Sequence, residues 1–230
     1  MSKIKDMPEE MQPREKAVVN GLESLTDAEL MAILFRTGIK GKNVLDLCNE
    51  ILDSCDGHLS RLAQMSVDEI TASFSGIGKA KALTLLAGLH LGHRATADAL
   101  SMSDPAMTNS ETVYNYARSR MFGLRHEEFH IMLLKQNLKL LRMVRIGRGG
   151  LTETSVDIRL IAREALLSSS PAIVLIHNHP SGNNTPSPQD VSLTERIAKG
   201  LKLLNIRVLD HIIVCDNAFY SFSDNGRMPL

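Results

Sequence analysis

An all-α domain followed by an α/β domain with a mixed sheet is the fold class that this 230-residue sequence predicts. Three observations predict it. Apolar residues recur at helical spacing throughout the first hundred positions. From residue 129 onward, short apolar runs of strand length alternate with helical ones. The charge balance also changes sign between the halves: residues 1–105 hold 11 Lys+Arg against 15 Asp+Glu, and residues 106–230 hold 15 against 11. The expected division is residues 1–100 and 107–230. Ala95–Asn109, small and polar with Pro105, reads as the linker.

In the first half, Thr26 and Glu29 form a capping box that opens a helix through Leu30, Ile33 and Leu34. Thr37-Gly38 reads as its end, with the glycine available for a left-handed cap. Val44, Leu45, Leu47, Ile51 and Leu52 mark a second helix, and Leu59 to Met65 a shorter one. Ser66 and Glu69 form another capping box, Ser75-Gly76-Ile77-Gly78 breaks the helix that follows, and Lys79 to Leu91 makes the next. Gly38-Ile39 and Gly76-Ile77 each sit between two amphipathic helices, the plan of two helix–hairpin–helix units.

In the second half, residues 129–134 and 140–146 read as strands, the second broken by Gly147-Arg148-Gly149-Gly150. Residues 155–167 have helical spacing. Pro171 to Ile176 is nearly all apolar, as a strand buried on both faces would be. Val191 to Leu204 is helical, and 206–209 and 212–215 read as two strands.

Composition narrows the function classes. Hydrophobic residues make up 43% and charged residues 23%, which excludes wholesale disorder. A net charge of zero argues against a strongly basic nucleic-acid scavenger. The three cysteines, Cys48, Cys55 and Cys215, make no framework, so a reducing, cytoplasmic compartment is expected. No apolar run approaches the ~18 residues of a membrane span. The start, MSKIKDMPEEMQ, lacks the apolar stretch of a secretory signal.

The chemistry is concentrated in residues 176–190. A buried strand runs into His177 and His179, which in extended backbone project to the same side. Pro180, Gly182 and Pro186 turn the chain, and Ser187 and Pro188 open a helix with Asp190 in its first turn. Two neutral imidazoles and a carboxylate, with a fourth position open, are the donor set of a catalytic zinc site. The plainer reading is a routine Ser187–Asp190 capping box beside a hydrogen-bonded histidine.

H-x-H, seven residues and S-x-x-D together resemble the motif of the JAMM (MPN-plus) zinc metalloproteases. The form HNHPSG with PS and D downstream resembles the RadC family in particular. The similarity extends to Pro13–Lys16, Leu25–Leu30, Arg36–Gly38, Gly76–Ala82 and Leu209–Ile213. It implies a JAMM/MPN-type (cytidine-deaminase-like) mixed sheet behind a helix–hairpin–helix domain. It implies a zinc metallopeptidase with His177, His179 and Asp190 as ligands, Ser187 as donor to the oxyanion, and protein or peptide as substrate. An upstream Glu would carry the proton. Glu127 and Glu128 are both candidates, and Glu127 fits the E-x-F of RadC relatives. Asn178 stands where many eukaryotic deubiquitinases have Ser or Thr, which points away from their substrates.

The alternative is a DNA-binding or repair-associated protein using the hairpins, where Lys40, Lys42, Lys79 and Lys81 cluster. The net negative charge of that half argues for weak DNA contact at most. A metal-bearing scaffold without turnover is a third reading, against which the complete ligand set argues. His211 reads as a structural neighbour of the site rather than a ligand. The recurrence of Arg142, Arg145 and Arg148 reads as a solvated face. Oligomeric state is not encoded in any of these features.

Overall fold

In the computed structural model, residues 8–39, 41–102, 106–149 and 156–229 are described, with the side chains of 9 and 100–102 excepted. Lys40, Ser155 and part of the expected linker, 103–105, therefore lie outside the described residues. The chain divides into two compact units, Met1–His93 and Arg94–Leu230.

The first unit is helical: α1 (Pro13–Asn20), α2 (Asp27–Phe35), α3 (Val44–Ser54), α4 (Leu59–Gln64), α5 (Val67–Ser73) and the start of α6 (Lys79–Met102). Both capping boxes form. The Thr26 hydroxyl accepts from the Glu29 N–H, and the Ser66 hydroxyl accepts from the Glu69 N–H. Its core gathers Met31, Phe35, Leu47, Ile51, Leu62, Ile70, Ile77 and Leu85. Helix α2 ends earlier than expected, at Phe35, and Arg36 rather than Gly38 takes the left-handed conformation, at φ 64°. Gly38 serves another purpose, since a Cβ there would lie 2.3 Å from the Lys42 carbonyl oxygen. At Gly76 a Cβ would lie 2.7 Å from Ile39 Cδ1, so the two Gly-Ile turns pack against one another.

Helix α6 runs on through Ala95–Met102, where the sequence reads as linker. Ala95, Ala97, Ala99, Leu100 and Met102 lack a clear apolar period but are strong helix formers, and propensity prevails.

The second unit is a five-stranded mixed sheet in the order β2-β1-β3-β4-β5. Its strands are β1 (Glu128–Leu134), β2 (Leu140–Arg148), β3 (Ala172–Asn178), β4 (Arg207–Val214) and β5 (Phe219–Ser221). Strands β3 and β4 are parallel, and the other pairs are antiparallel. Helix α7 (Ser110–Met121) covers one face, through Val113, Tyr114, Ala117 and Met121 against Met132, Val174, Ile176 and Ile212. Helices α8 (Ile158–Leu167) and α9 (Pro188–Lys202) cover the other, through Ile161, Ala165, Ile197 and Leu201 against Phe129, Ile131, Ile173 and Leu175. Strand β3, central and covered on both sides, is buried along its whole length.

Two strand boundaries differ from expectation. Strand β2 passes through Gly147 to Arg148, because Gly147 pairs with Phe129 beside a register shift rather than breaking the ladder. The two expected strands at 206–209 and 212–215 are one, β4. Asp210-His211 looks like a polar break, yet both are satisfied inside the fold. The Asp210 carboxylate accepts from the His211 N–H (2.7 Å), the Ser221 hydroxyl (2.6 Å) and the Ser223 N–H (2.9 Å). The three cysteines are all free and buried. Among the described residues, no helix is long and apolar enough to cross a membrane.

Candidate metal centre

Three elements supply the site. Strand β3 ends by presenting His177 on the face that packs against α9. The chain then turns, with the His179 N–H donating to the Val214 carbonyl (2.9 Å). Helix α9 starts at Ser187, and Asp190 lies in its first turn facing the sheet, fully buried.

The side chains converge. His177 Nε2 and His179 Nε2 lie 2.8 Å apart. Asp190 Oδ1 is 3.4 Å from His177 Nε2, and Asp190 Oδ2 is 3.8 Å from His179 Nε2. His177, His179 and Asp190 could together hold a metal ion, their ligand atoms all lying within 4.8 Å of one another.

The two carboxylate oxygens of Asp190 differ. Oδ2 accepts from the Ser187 N–H and the Ser187 hydroxyl, both at 2.7 Å. Oδ1 accepts nothing; among the described residues it is the one buried side-chain polar atom without a hydrogen-bond partner. Such an atom costs ~1–3 kcal/mol when left unpaired. A partnerless acceptor oxygen beside the His177 Nε2, in a carboxylate that also faces His179, is a receptor for a cation, so the residues present fit a bound metal. His179 also donates from Nδ1 to the Asn183 carbonyl (2.6 Å), which leaves its Nε2 as a lone pair in the neutral ring.

Burial holds His177 mostly neutral. It pushes the imidazole down to about 4, with Asp190 pulling upward and His179 pushing further down. His211, behind it, is held well below the ordinary imidazole range by burial and by its His177 and His179 neighbours. His177 is therefore in the neutral form a metal ligand requires.

The remaining sequence-derived candidates are placed as follows. Ser187 caps α9 and is bonded to Asp190, so the capping box and the ligand triad share a residue rather than competing for it. Glu127 is partly buried and immediately precedes β1, its carbonyl accepting from the Gly149 N–H (2.9 Å). Glu128 sits elsewhere. Its buried carboxylate lies 3.0 Å from His126 Nε2 and 2.8 Å from His130 Nε2, and it accepts from Arg145 at 3.2 Å. Burial pushes the Glu128 carboxyl upward, but the bonds to His126 and His130 and the Arg145 charge hold it below its ordinary range. The arginines of β2 are exposed, as a solvated face expects; Arg142 also pairs with Glu164 and Arg145 with Glu128, and Arg148 Nε lies 2.9 Å from His126 Nε2.

Three features escape sequence reasoning. His211 is a neighbour of the site, as its sequence reading expects, but that Thr194 bonds in series with it behind His177 (2.6 and 2.8 Å) is hinted at only by the spacing of Thr194 one turn after Asp190. The Glu128 cluster follows the i, i+2, i+4 alternation His126, Glu128, His130, a signal visible in the sequence. The third is Asn178. Its amide oxygen accepts from the Glu128 N–H (2.8 Å) and its amide nitrogen donates to the His126 carbonyl (3.0 Å). One side chain thus grips the backbone on both sides of Glu127.

At the helical hairpins, Lys81 donates to the Thr37 carbonyl (2.5 Å) and the Gly38 carbonyl (3.0 Å), and Lys42 pairs with Glu50. Lys81 is thus held by backbone carbonyls, whereas Lys42 lies in a surface pair with Glu50.

A family model described as RadC-like JAB domain matches residues 107–227, and one described as UPF0758 N-terminal matches residues 4–83. The chain belongs to the UPF0758, or RadC, family. Similar UPF0758 proteins occur in Porphyromonas gingivalis (41% identical, covering 97% of this chain and 98% of the relative) and Desulfitobacterium hafniense (38%, covering 97% of each). One from Aromatoleum aromaticum is 41% identical over 97% of this chain and 98% of the relative. The RadC-type JAB match and the His177–His179–Asp190 group together suggest a JAMM-type metallohydrolase.

Proposed function

We propose that this UPF0758 protein is a zinc-dependent metallopeptidase that hydrolyses a peptide or isopeptide bond. The observation that carries the reading is the partnerless buried Oδ1 of Asp190, 3.4 Å from His177 Nε2 and beside His179 Nε2 in a cluster of two imidazoles whose other ring positions are bonded. His177, His179 and Asp190 are its zinc ligands. Bound zinc supplies Lewis acidity and draws the pKa of water toward ~7.

The chain's own groups do the rest. Glu127 takes a proton from the attacking water and returns it to the leaving amine. Two facts support Glu127 over Glu128. Phe129 pairs with His177, so residues of odd number at the start of β1 share the face of the histidines. The Glu128 carboxylate lies on the opposite face, with His130 and Arg145. Ser187 has its hydroxyl at the rim of the donor set and donates to the developing oxyanion when it turns from Asp190. Asn178 holds the Glu127 backbone against the end of β3.

Metal analysis of the purified chain, beside His177→Ala and His179→Ala variants, combined with a peptide-library cleavage assay, tests the reading. One zinc per chain with cleavage, both lost in the variants, is expected. Cleavage that persists in a metal-free chain would overturn it. The DNA-binding alternative gains no support from Lys81, which backbone carbonyls hold, or from Lys42, which pairs with Glu50 at the surface.

A further inference from the structure

Behind the metal-site face of His177 lies a chain of three short hydrogen bonds. Thr194 Oγ1 is 2.6 Å from the Asp190 carbonyl oxygen and 2.6 Å from His211 Nδ1. His211 Nε2 is 2.8 Å from His177 Nδ1. Thr194 and His211 are both buried.

The protons in this chain can be assigned by elimination. A carbonyl oxygen carries no hydrogen, so the Thr194 hydroxyl must donate to it. That hydroxyl has one hydrogen, so the bond to His211 requires His211 Nδ1–H as donor. A neutral His211 then has a bare Nε2, which can only accept, and His177 must donate to it from Nδ1. His177 Nε2 is left as a lone pair facing His179 Nε2 and Asp190 Oδ1. Read in the opposite direction, Thr194 Oγ1 and the Asp190 carbonyl oxygen would meet at 2.6 Å with no hydrogen between them; the direction assigned here instead leaves no hydrogen between the two Nε2 atoms, 2.8 Å apart, which is the contact a cation would bridge.

We infer that Thr194 and His211 are positioning residues that lock His177 in the Nδ1–H tautomer and so keep its Nε2 ready for a cation. The lock works against a local preference. Without a metal, a proton on His177 Nε2 would satisfy both His179 Nε2 at 2.8 Å and Asp190 Oδ1 at 3.4 Å. The hydroxyl of Thr194, anchored to a carbonyl of its own helix, forbids that arrangement. The residue that positions the donor is thereby one turn along α9 from Asp190, and one helix sets both carboxylate and imidazole. This role rests on the metal-site reading for its purpose, but the tautomer itself is a property of the metal-free chain.

The test is nitrogen NMR of ¹⁵N-histidine-labelled full-length chain with the metal stripped by chelator, the His177 signals being assigned through loss in His177→Asn. Wild type is expected to carry its proton on Nδ1. Thr194→Val, isosteric but without the hydroxyl, is expected to reverse the relay and put the proton on Nε2; Thr194→Ser is expected to restore Nδ1–H. Zinc titration of the same samples should show affinity reduced about 10–100-fold in Thr194→Val and recovered in Thr194→Ser. An Nε2–H tautomer in wild type overturns the inference even if Thr194→Val does not fold, and so does an unchanged Nδ1–H tautomer in a folded Thr194→Val. If no chain binds zinc while the tautomers behave as stated, the metal-site reading fails and the relay stands.

Discussion

Replacing Asp190 by Asn should stabilise the metal-free protein and abolish its response to zinc. The two carboxylate oxygens dictate this. The amide oxygen can take the place of Oδ2, which accepts two 2.7 Å bonds from Ser187, and so preserve the start of α9. The amide nitrogen then replaces Oδ1, which is buried and partnerless, and it lies 3.4 Å from the His177 Nε2 lone pair as a donor. Removing one unsatisfied buried acceptor is worth ~1–3 kcal/mol. For a chain of this size that raises the melting temperature by roughly 2–4 °C per kcal/mol. Zinc at a hundredfold excess over its dissociation constant should stabilise wild type by ~2.7 kcal/mol and the variant by nothing. Adding metal therefore moves the stability difference by ~2.7 kcal/mol in favour of wild type. Scanning calorimetry of both full-length chains, in chelator and in zinc, reads it directly. A metal-free Asp190→Asn protein that melts well below wild type would show that the carboxylate is content where it is, and an equal zinc response would remove it from the ligand set.

Other outcomes follow from the same geometry. Glu127→Gln should keep zinc bound and lower turnover by ~10²–10⁴-fold, measured on any substrate that wild type cuts; unchanged turnover would remove it from proton transfer. Glu128→Gln should leave turnover near wild type but destabilise the sheet by ~1–3 kcal/mol in urea melts, because His126, His130 and Arg145 lose a charged partner. The folded-state pKa of His177 lies below its unfolded value of about 6.5, so the unfolded chain binds the extra proton. Stability of the metal-free protein should therefore be fully present above about 6.5 and fall as pH drops toward about 4, by up to ~1.4 kcal/mol per pH unit, with His211 acting in the same direction. A urea midpoint flat across that window counts against the buried neutral imidazoles. Lys81→Met should cost ~1 kcal/mol of stability in the helical unit through its bonds to the Thr37 and Gly38 carbonyls, which thermal melts would detect.

Much of the candidate site was legible because it lies in one short stretch. A buried strand, two histidines of the same parity, a Pro/Gly turn and a capped helix are all local signals, and local signals survive without a structure. The boundaries that misled were those where a side chain is satisfied by a distant partner. Asp210-His211 reads as a gap between strands because nothing nearby announces Ser221, Ser223 and Thr194 as their partners. Gly147 reads as a strand end because the register shift that accommodates it belongs to β1 as much as to β2. Helix α7 lay unread between the expected linker and β1, although Asn109, whose side chain accepts from the Thr112 N–H, was available as its cap. Arg36 in a left-handed conformation contradicts the expectation that glycine takes such positions, and Gly38 was instead required by a backbone approach.

The residue between the two histidines has a consequence for how this segment tolerates change. His177 and His179 look toward α9, while Asn178 reaches to the neighbouring strand and clasps the main chain around Glu127. Three consecutive positions thus write two different instructions on opposite sides of one ribbon. Inserting or deleting a single residue within β3 would exchange them, turning an amide toward the carboxylate of Asp190 and imidazoles toward the backbone of β1. Length changes should therefore be purged from the strand, and be tolerated in the turn after His179 only where the Asn183 carbonyl still reaches the His179 ring. A library of single-residue insertions scored for soluble expression would show that divide as a sharp edge at position 179.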